Sequence, residues 1–409
     1  MSRSAPLSVL DLAPVSTGRT GAEALHNTVD LARRAERLGY RRFWLAEHHL
    51  TPGVAAASPG VLAGVVAERT EEIRVGSAAV LLGNVTPLEA VEQFGTVAHL
   101  HPGRIDLGLG RSVLTHLDEL AAKASPENQT SPEKASPAKS GPEQANPEKA
   151  SPEQASTGNS AAGKPGAGDR VVDGLLIPEP PAGGGSRRRL ERLREQARLL
   201  GVPAAERPYQ EQVAEVLAFL AGTYRGDGDR AVRSPAAEGA DLDVWVLGSS
   251  AGPSARAAGA LGLPFAANYH INPSTVLDTV EEYRAAFRPG ALRRPHVLVS
   301  ADVVVAAEDT AARELAEPYA EWVHSIRTGD GADRYRCPQE SRTAQWTDED
   351  RALVRDRVDT QFVGSPGTVV EGLTALQRAT GADELLITTV THEHADRVRS
   401  YELLAEAWR

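Results

Sequence analysis

The chain has 409 residues, 41% hydrophobic and 24% charged, with 44 Lys and Arg against 55 Asp and Glu for a formal charge of −11. These fractions exclude a collagen-like, fibrous or wholly disordered chain, and the charge argues against nucleic acid or an anionic membrane as the main partner. The single cysteine, Cys337, excludes an intramolecular disulfide and a cysteine-based zinc or iron–sulfur site.

Taken in order, the N-terminus lacks the long apolar run of a secretory signal. The most apolar stretch, residues 53–67, is interrupted by Ser58 and Pro59 and is too short to span a bilayer. A cytoplasmic protein is the expectation. Short runs rich in Val, Leu and Ile predict strands at residues 7–12, 42–46, 73–80 and 104–109, then at 242–248, 264–268, 296–305 and 384–390. Amphipathic patterns predict helices at 22–38, 87–100, 209–220, 254–261, 274–287 and 394–408. In the first, Leu25, Val29, Ala32 and Leu38 fall near one stripe, and Gly39 supplies a stop.

Residues 123–168 stand apart. Prolines recur every five residues from Pro132 to Pro152, and Leu, Ile, Val, Phe, Tyr and Trp are all missing. Such a tract cannot bury enough apolar surface to offset its ordering entropy, so a disordered low-complexity insert is expected. At about 150 residues per domain the length suggests roughly two to three domains, but the tract adds length without core. The expectation becomes a single domain over residues 1–409 with 123–168 inserted in it. Eight strands that alternate with helices imply right-handed crossovers and a (β/α)8 TIM barrel, with the insert after strand four. The competing open doubly wound sheet lacks its phosphate loop, because residues 13–21 contain no G-x-G-x-x-G.

Barrel chemistry gathers at the C-terminal ends of the strands. Strand two ends in Glu47-His48-His49, which reads as general acid/base, metal ligand or hydrogen-bonded loop. Strand three runs into Gly76-Ser77-Ala78-Ala79, small enough for a flat ligand or for plain packing. Strand four carries Arg104 and Asp106, read as a structural ion pair near the barrel bottom, and ends at Arg111, which suits a phosphate or carboxylate. Strand five ends in Gly248-Ser249-Ser250 just before a helix, either an anion cradle or an ordinary cap. Strand six leads to Tyr269 and His270, and strand eight to His392 and His394.

In this order the residues resemble the bacterial luciferase-like flavin-dependent monooxygenases, the group that includes alkanal monooxygenase. The likeness rests on Ser8-Val9-Leu10-Asp11-Leu12, Trp44 to His49, Ile73 to Ser77, Thr86-Pro87-Leu88 and Glu92 to Thr96. It continues through His101 to Arg111, Gly248-Ser249-Ser250 and Leu261 to Phe265. The resemblance implies a barrel that holds reduced FMN, or a deazaflavin, at the strand C-termini. It implies that His48 is the acid/base residue beside a flavin C4a-hydroperoxide, and that Ser77 and Ala78 form the wall behind the flavin ring, often with a non-prolyl cis peptide. It places the cofactor phosphate at Arg111, Ser249 and Ser250, with Gly248 allowing close approach. Glu47, Tyr269 and His270 become substrate-pocket candidates.

The implied reaction is oxygenation of a small organic substrate, possibly an aldehyde, by O2, with reduced FMN from a separate flavin reductase and a homodimeric assembly. The chain departs from its relatives at Ser112 to His116, and Gly110 stands where the luciferase catalytic subunit has a reactive cysteine. Three alternatives stay open: a deazaflavin-dependent oxidoreductase, a non-catalytic flavin binder, and a metal-dependent hydrolase using His48, His49, His392 and His394. The leading expectation has no metal.

Overall fold

A computed structural model describes residues 4–117, 168–181, 187–203, 207–329 and 331–408. Apart from Gly168, the Pro-rich tract expected at 123–168 lies outside the described residues. The first half contains β1 (Leu7–Asp11), α1 (Gly21–Leu38), β2 (Arg42–Leu45), α2 (Pro59–Glu68), β3 (Arg74–Ser77), β4 (Val80–Leu82), α3 (Pro87–Leu100) and β5 (Ile105–Arg111). A hairpin of β6 (Arg170–Val172) and β7 (Leu175–Ile177) precedes α4 (Arg187–Leu200) and α5 (Tyr209–Leu220). Then come β8 (Leu242–Gly248), α6 (Pro253–Ala260), β9 (Phe265–Asn268), α7 (Val276–Ala286) and β10 (Val297–Val305). The last part holds α8 (Asp309–Ala316), α9 (Tyr319–Thr328), α10 (Pro338–Ser341), α11 (Asp348–Val358), β11 (Phe362–Gly364), α12 (Pro366–Thr380), β12 (Glu384–Thr388) and α13 (His394–Ala407).

Parallel pairing runs β1–β2–β3–β5–β8–β9–β10–β12 and returns to β1, with Val9 opposite Ile387 and Phe265 opposite Val297. The sheet therefore closes into an eight-stranded (β/α)8 barrel, and the open alternative is excluded. Strands covered by helices outside and filled with side chains inside are buried on both faces; all nine residues of β10 are buried. The α1 boundaries follow from its caps: Thr20 and Glu23 form a capping box, and Gly39 ends the helix at φ 82°. Its buried stripe is Ala24, Thr28, Leu31, Ala32 and Ala35, rotated from the larger side chains that marked it in the sequence.

The expected third strand is broken. A cis peptide joins Ala78 to Ala79 between β3 and β4. Two glycines allow β3 and β5 to approach: a Cβ on Gly76 would lie 2.3 Å from the Asp106 carbonyl oxygen, and one on Gly108 2.0 Å from that of Ser77.

The expected Arg104–Asp106 pair does not form. Asp106, fully buried, accepts from Arg42 Nη1 at 2.7 Å, Arg74 Nη2 at 2.6 Å and Trp44 Nε1 at 2.9 Å. Arg42 also donates through Nε to Glu384 at 3.1 Å. Arg104 instead donates to the carbonyl of Ala67 in the last turn of α2 and to those of Thr70 and Ile73 beyond it. Arg104 precedes β5, so strand alternation does not hold it on the side of Asp106; its guanidinium turns to the end of α2, and Asp106 is met by Arg42 of β2 and Arg74 of β3. No helix among the described residues is long and apolar enough to cross a membrane.

Candidate functional site

At the C-terminal ends of the strands lies a cavity of about 440 Å³, within the range of about 300–1,000 Å³ typical of small-molecule sites. Past β2 the chain is pinned by Ala46 N–H to Asp11 O and His48 N–H to Ala56 O. Glu47 lies on the wall, but its carboxylate is committed: it accepts from Leu81 N–H at 3.0 Å and Asn84 Nδ2 at 2.9 Å, and pairs with His49 Nε2 at 3.0 Å. This clamp ties the end of β2 to the segment after the cis peptide. Of the two histidines that follow Glu47, it leaves His48 the more open to the cavity.

Although open to the cavity, the His48 ring is surrounded by protein. That burial pushes its pKa down to about 4, opposed by Glu47 and reinforced by His49 and Arg192. At neutral pH it is an uncharged imidazole, able to accept a proton at one nitrogen and donate a hydrogen bond from the other. His270 also reaches the cavity. Its Nδ1 lies 2.5 Å from Ser300 Oγ; burial, then Arg357 and His48, push its pKa down to about 3.

Ala46, Ala78, Ala79, Gly110 and Gly248 supply a wall of small residues. Beside it stand Arg111, Ser249 and Ser250, with Ser254 of α6. The Ser249 carbonyl accepts from Asn272 Nδ2 at 3.0 Å and Thr275 Oγ1 at 2.9 Å, which holds the backbone of this turn. The start of α6 adds helix N–H groups without intrahelical acceptors.

Two expected residues do not reach the cavity. Ser77 is fully buried, and its Oγ donates to Gly108 O at 2.9 Å while accepting Gly108 N–H at 3.1 Å; it clips β3 to β5. Tyr269 turns outward, donating to Leu176 O at 2.6 Å and stacking on Phe362. The four histidines of the metal reading are not brought together. His394 pairs with Asp30 at 2.9 Å and His392 lies 3.3 Å from Thr17 O, so neither lines the cavity. No group of three or more His, Cys, Asp or Glu suited to a metal occurs among the described residues.

Sequence reasoning missed one side of the cavity. Arg189, Arg192 and Gln196 of α4 line it, together with Trp322 and Ile326 of α9 and Ala332. Three arginines, Leu190, Arg192 and Leu193 gave α4 an amphipathic pattern that was legible; nothing marked Trp322, which α9, a helix far along the chain, brings in.

A model of the family described as luciferase-like monooxygenase matches residues 6–129 and 179–384. The chain is 34% identical over 404 residues to YvbT, an uncharacterized protein of Bacillus subtilis (strain 168), covering 98% of this chain and 96% of YvbT. It is 29% identical to a luciferase-like monooxygenase of Escherichia coli (strain K12), covering 97% and 95%. The crystal structure of apo-MsnO8 superposes with a TM-score of 0.69 at 28% identity, covering 99% and 98%. Two further structures share the fold alone. One is the oxygenating constituent of 3,6-diketocamphane monooxygenase from Pseudomonas putida in complex with FMN, with a TM-score of 0.60, 16% identity and coverage of 99% and 97%. The other is an F420-dependent secondary alcohol dehydrogenase in complex with an F420-acetone adduct, with a TM-score of 0.56, 10% identity and coverage of 99% and 99%.

Proposed function

The chain belongs to the luciferase-like monooxygenase family, and on that premise we propose that it oxygenates a small organic substrate with O2, using reduced FMN delivered by a separate flavin reductase. The observation that carries this reading is one cavity that combines a neutral, open His48 with a wall of small residues and an anion site at Arg111, Ser249 and Ser250. These residues fit a flavin mononucleotide. Ala78, Ala79 and Gly110 let a flat ring approach, and Arg111 with the serine hydroxyls and the start of α6 provides charge-assisted donors for a phosphate. Reduced FMN, when bound, supplies the two electrons with which O2 delivers one oxygen atom to the substrate and leaves the other as water.

The chain's own residues do the rest. His48, uncharged at neutral pH, accepts a proton at one ring nitrogen or holds a hydrogen bond from the other. Glu47 fixes the turn that carries it. Trp322 and Ile326 give the cavity an apolar side, and polar contacts made against apolar surface are stronger than in open water.

The test is anaerobic titration with reduced FMN, followed by isotopically labelled O2 and a substrate screen. Saturable binding and a product carrying one labelled oxygen atom support the reading. Oxygen-independent hydride transfer from a reduced deazaflavin, with no binding of reduced FMN, would replace it with the deazaflavin-dependent alternative, to which the shared fold of the F420-dependent dehydrogenase points.

A further inference from the structure

One ring in the cavity has no part in the chemistry assigned above. β9 ends at Asn268, and two residues later His270 lines the cavity, while Tyr269 between them turns away to Leu176. The His270 Nδ1 meets Ser300 Oγ at 2.5 Å. Ser300 is fully buried on β10, opposite Asn268 of β9 and Leu386 of β12. A serine hydroxyl has one proton to give. Its other acceptors, the Ala267 carbonyl and Asn268 Oδ1, both stand at 3.4 Å, so the proton goes to Nδ1. In an uncharged imidazole an accepting Nδ1 puts the ring proton on Nε2.

The ring stays uncharged because it is buried and because Arg357 lies within electrostatic reach. That guanidinium is itself fixed by Asp302 at 3.3 Å and Tyr319 Oη at 3.0 Å. His270 is therefore a hydrogen-bond donor through Nε2–H. This atom has no hydrogen-bond partner among the described residues, yet it is accessible from the cavity and not sealed in protein. Once a ligand displaces water, an N–H left unpaired costs free energy that an accepting oxygen recovers. Leu10, Leu247 and Leu386 of the barrel strands line the same cavity and offer apolar contact without a polar partner.

Resting on the flavin reading above, we infer that His270, oriented by Ser300, donates its Nε2–H to an uncharged oxygen of the substrate. The substrate is then a neutral, oxygen-bearing molecule whose apolar body meets the leucines. A carbonyl meets this donor without bringing a proton of its own, for which the leucines hold no acceptor. The two histidines divide the work: His48 exchanges a proton, and His270 sets where the substrate oxygen sits.

Cyclohexanone and methylenecyclohexane test this, being matched in shape and different in the acceptor. NMR titration of FMN-loaded protein gives the ratio of their affinities. His270→Phe should lower the preference for the ketone by about three- to tenfold, the contribution of one uncharged hydrogen bond. Ser300→Ala, which frees the ring to turn, should lower it by less, and His270→Gln, which keeps an N–H near the same place, should retain part of it. FMN affinity should be unchanged in all three. The infrared carbonyl band of bound, 13C-labelled cyclohexanone should lie below its position in alkane solvent, and return toward it in His270→Phe. An unshifted band in the wild-type protein, no binding of cyclohexanone, or a ketone preference that His270→Phe leaves intact overturns the inference. The wild-type band needs no variant to fold. Titration without FMN separates the two readings: a protein that fails to bind FMN, yet loses its ketone preference in His270→Phe, sinks the flavin assignment and leaves the role of His270 standing.

Discussion

The His48 proton is the quantity on which the proposed chemistry turns, and it can be measured without knowing the substrate. Its environment pushes the imidazole down to about 4, from an ordinary value of about 6.5. At pH 7 that leaves roughly one ring in a thousand protonated, against about one in four for an unperturbed histidine. A role that required imidazolium in the resting enzyme would lose most of its catalyst, whereas a proton acceptor would be almost fully available. The assay is NMR titration of histidine ring carbons, with the His48 signal assigned by its loss in His48→Asn. Titration near 4 is expected, moving upward in Arg192→Gln because one repelling charge is gone. A midpoint at 6 or above would refute the reasoning, showing that the cavity solvates the ring as bulk water does. The kinetic counterpart is His48→Ala, which should retain FMN binding and lose on the order of 10²–10⁴ in turnover, the usual cost of removing a general acid–base group.

Other outcomes follow from the same geometry. Arg111→Ala should weaken FMN binding by about tenfold to a hundredfold, read by fluorescence titration, since a hydrogen bond to a charged group contributes about 1.5–3 kcal/mol; unchanged affinity would contradict the phosphate assignment. Asp106→Ala leaves the buried Arg42 with Glu384 but takes away its second carboxylate, removes a carboxylate from Arg74 and leaves Trp44 Nε1 without its acceptor. Breaking a buried pair costs about 3–5 kcal/mol, visible as a lowered urea midpoint at constant slope. Stability should also fall with acid in a defined window. His48 and His270 have folded values of about 4 and about 3, below the unfolded value of about 6.5, so the unfolded chain takes up protons first. Their contribution is complete above about pH 6.5 and declines as the pH falls toward 4. In His270→Asn, the decline in urea midpoint between about pH 6.5 and 5, above most carboxylate titrations, should be shallower.

Much of the site was legible because it sits on short segments next to strand ends. Glu47, His48, Arg111, Gly248 and the two serines were identifiable from spacing, residue type and likeness to a family, and the structure brings all six to one cavity. What spacing could not reveal was direction. Ser77 and Ala78 are adjacent, yet one hydroxyl turns into the β3–β5 seam while the other side chain faces the cavity. Tyr269 and His270 diverge in the same way. Glu47 looked chemical beside two histidines, and became a clamp because Leu81 and Asn84, more than thirty residues away, offer their N–H groups.

By itself the sequence led to the eight-stranded barrel, with the third strand run too long across the break at Ala78, to the likeness to the luciferase-like family and to the placement of His48 at a strand end, because these depend on local hydrophobic patterning and on short motifs. Tertiary structure alone decided that Asp106 answers Arg42 and Arg74 in place of Arg104, and that α4 and α9 complete the cavity with Arg192 and Trp322. The reason is the same in each case. The protonation of His48, the partner of a buried carboxylate and the cover of a cavity are set by groups distant in the chain, and packing brings those groups together where no local pattern records them.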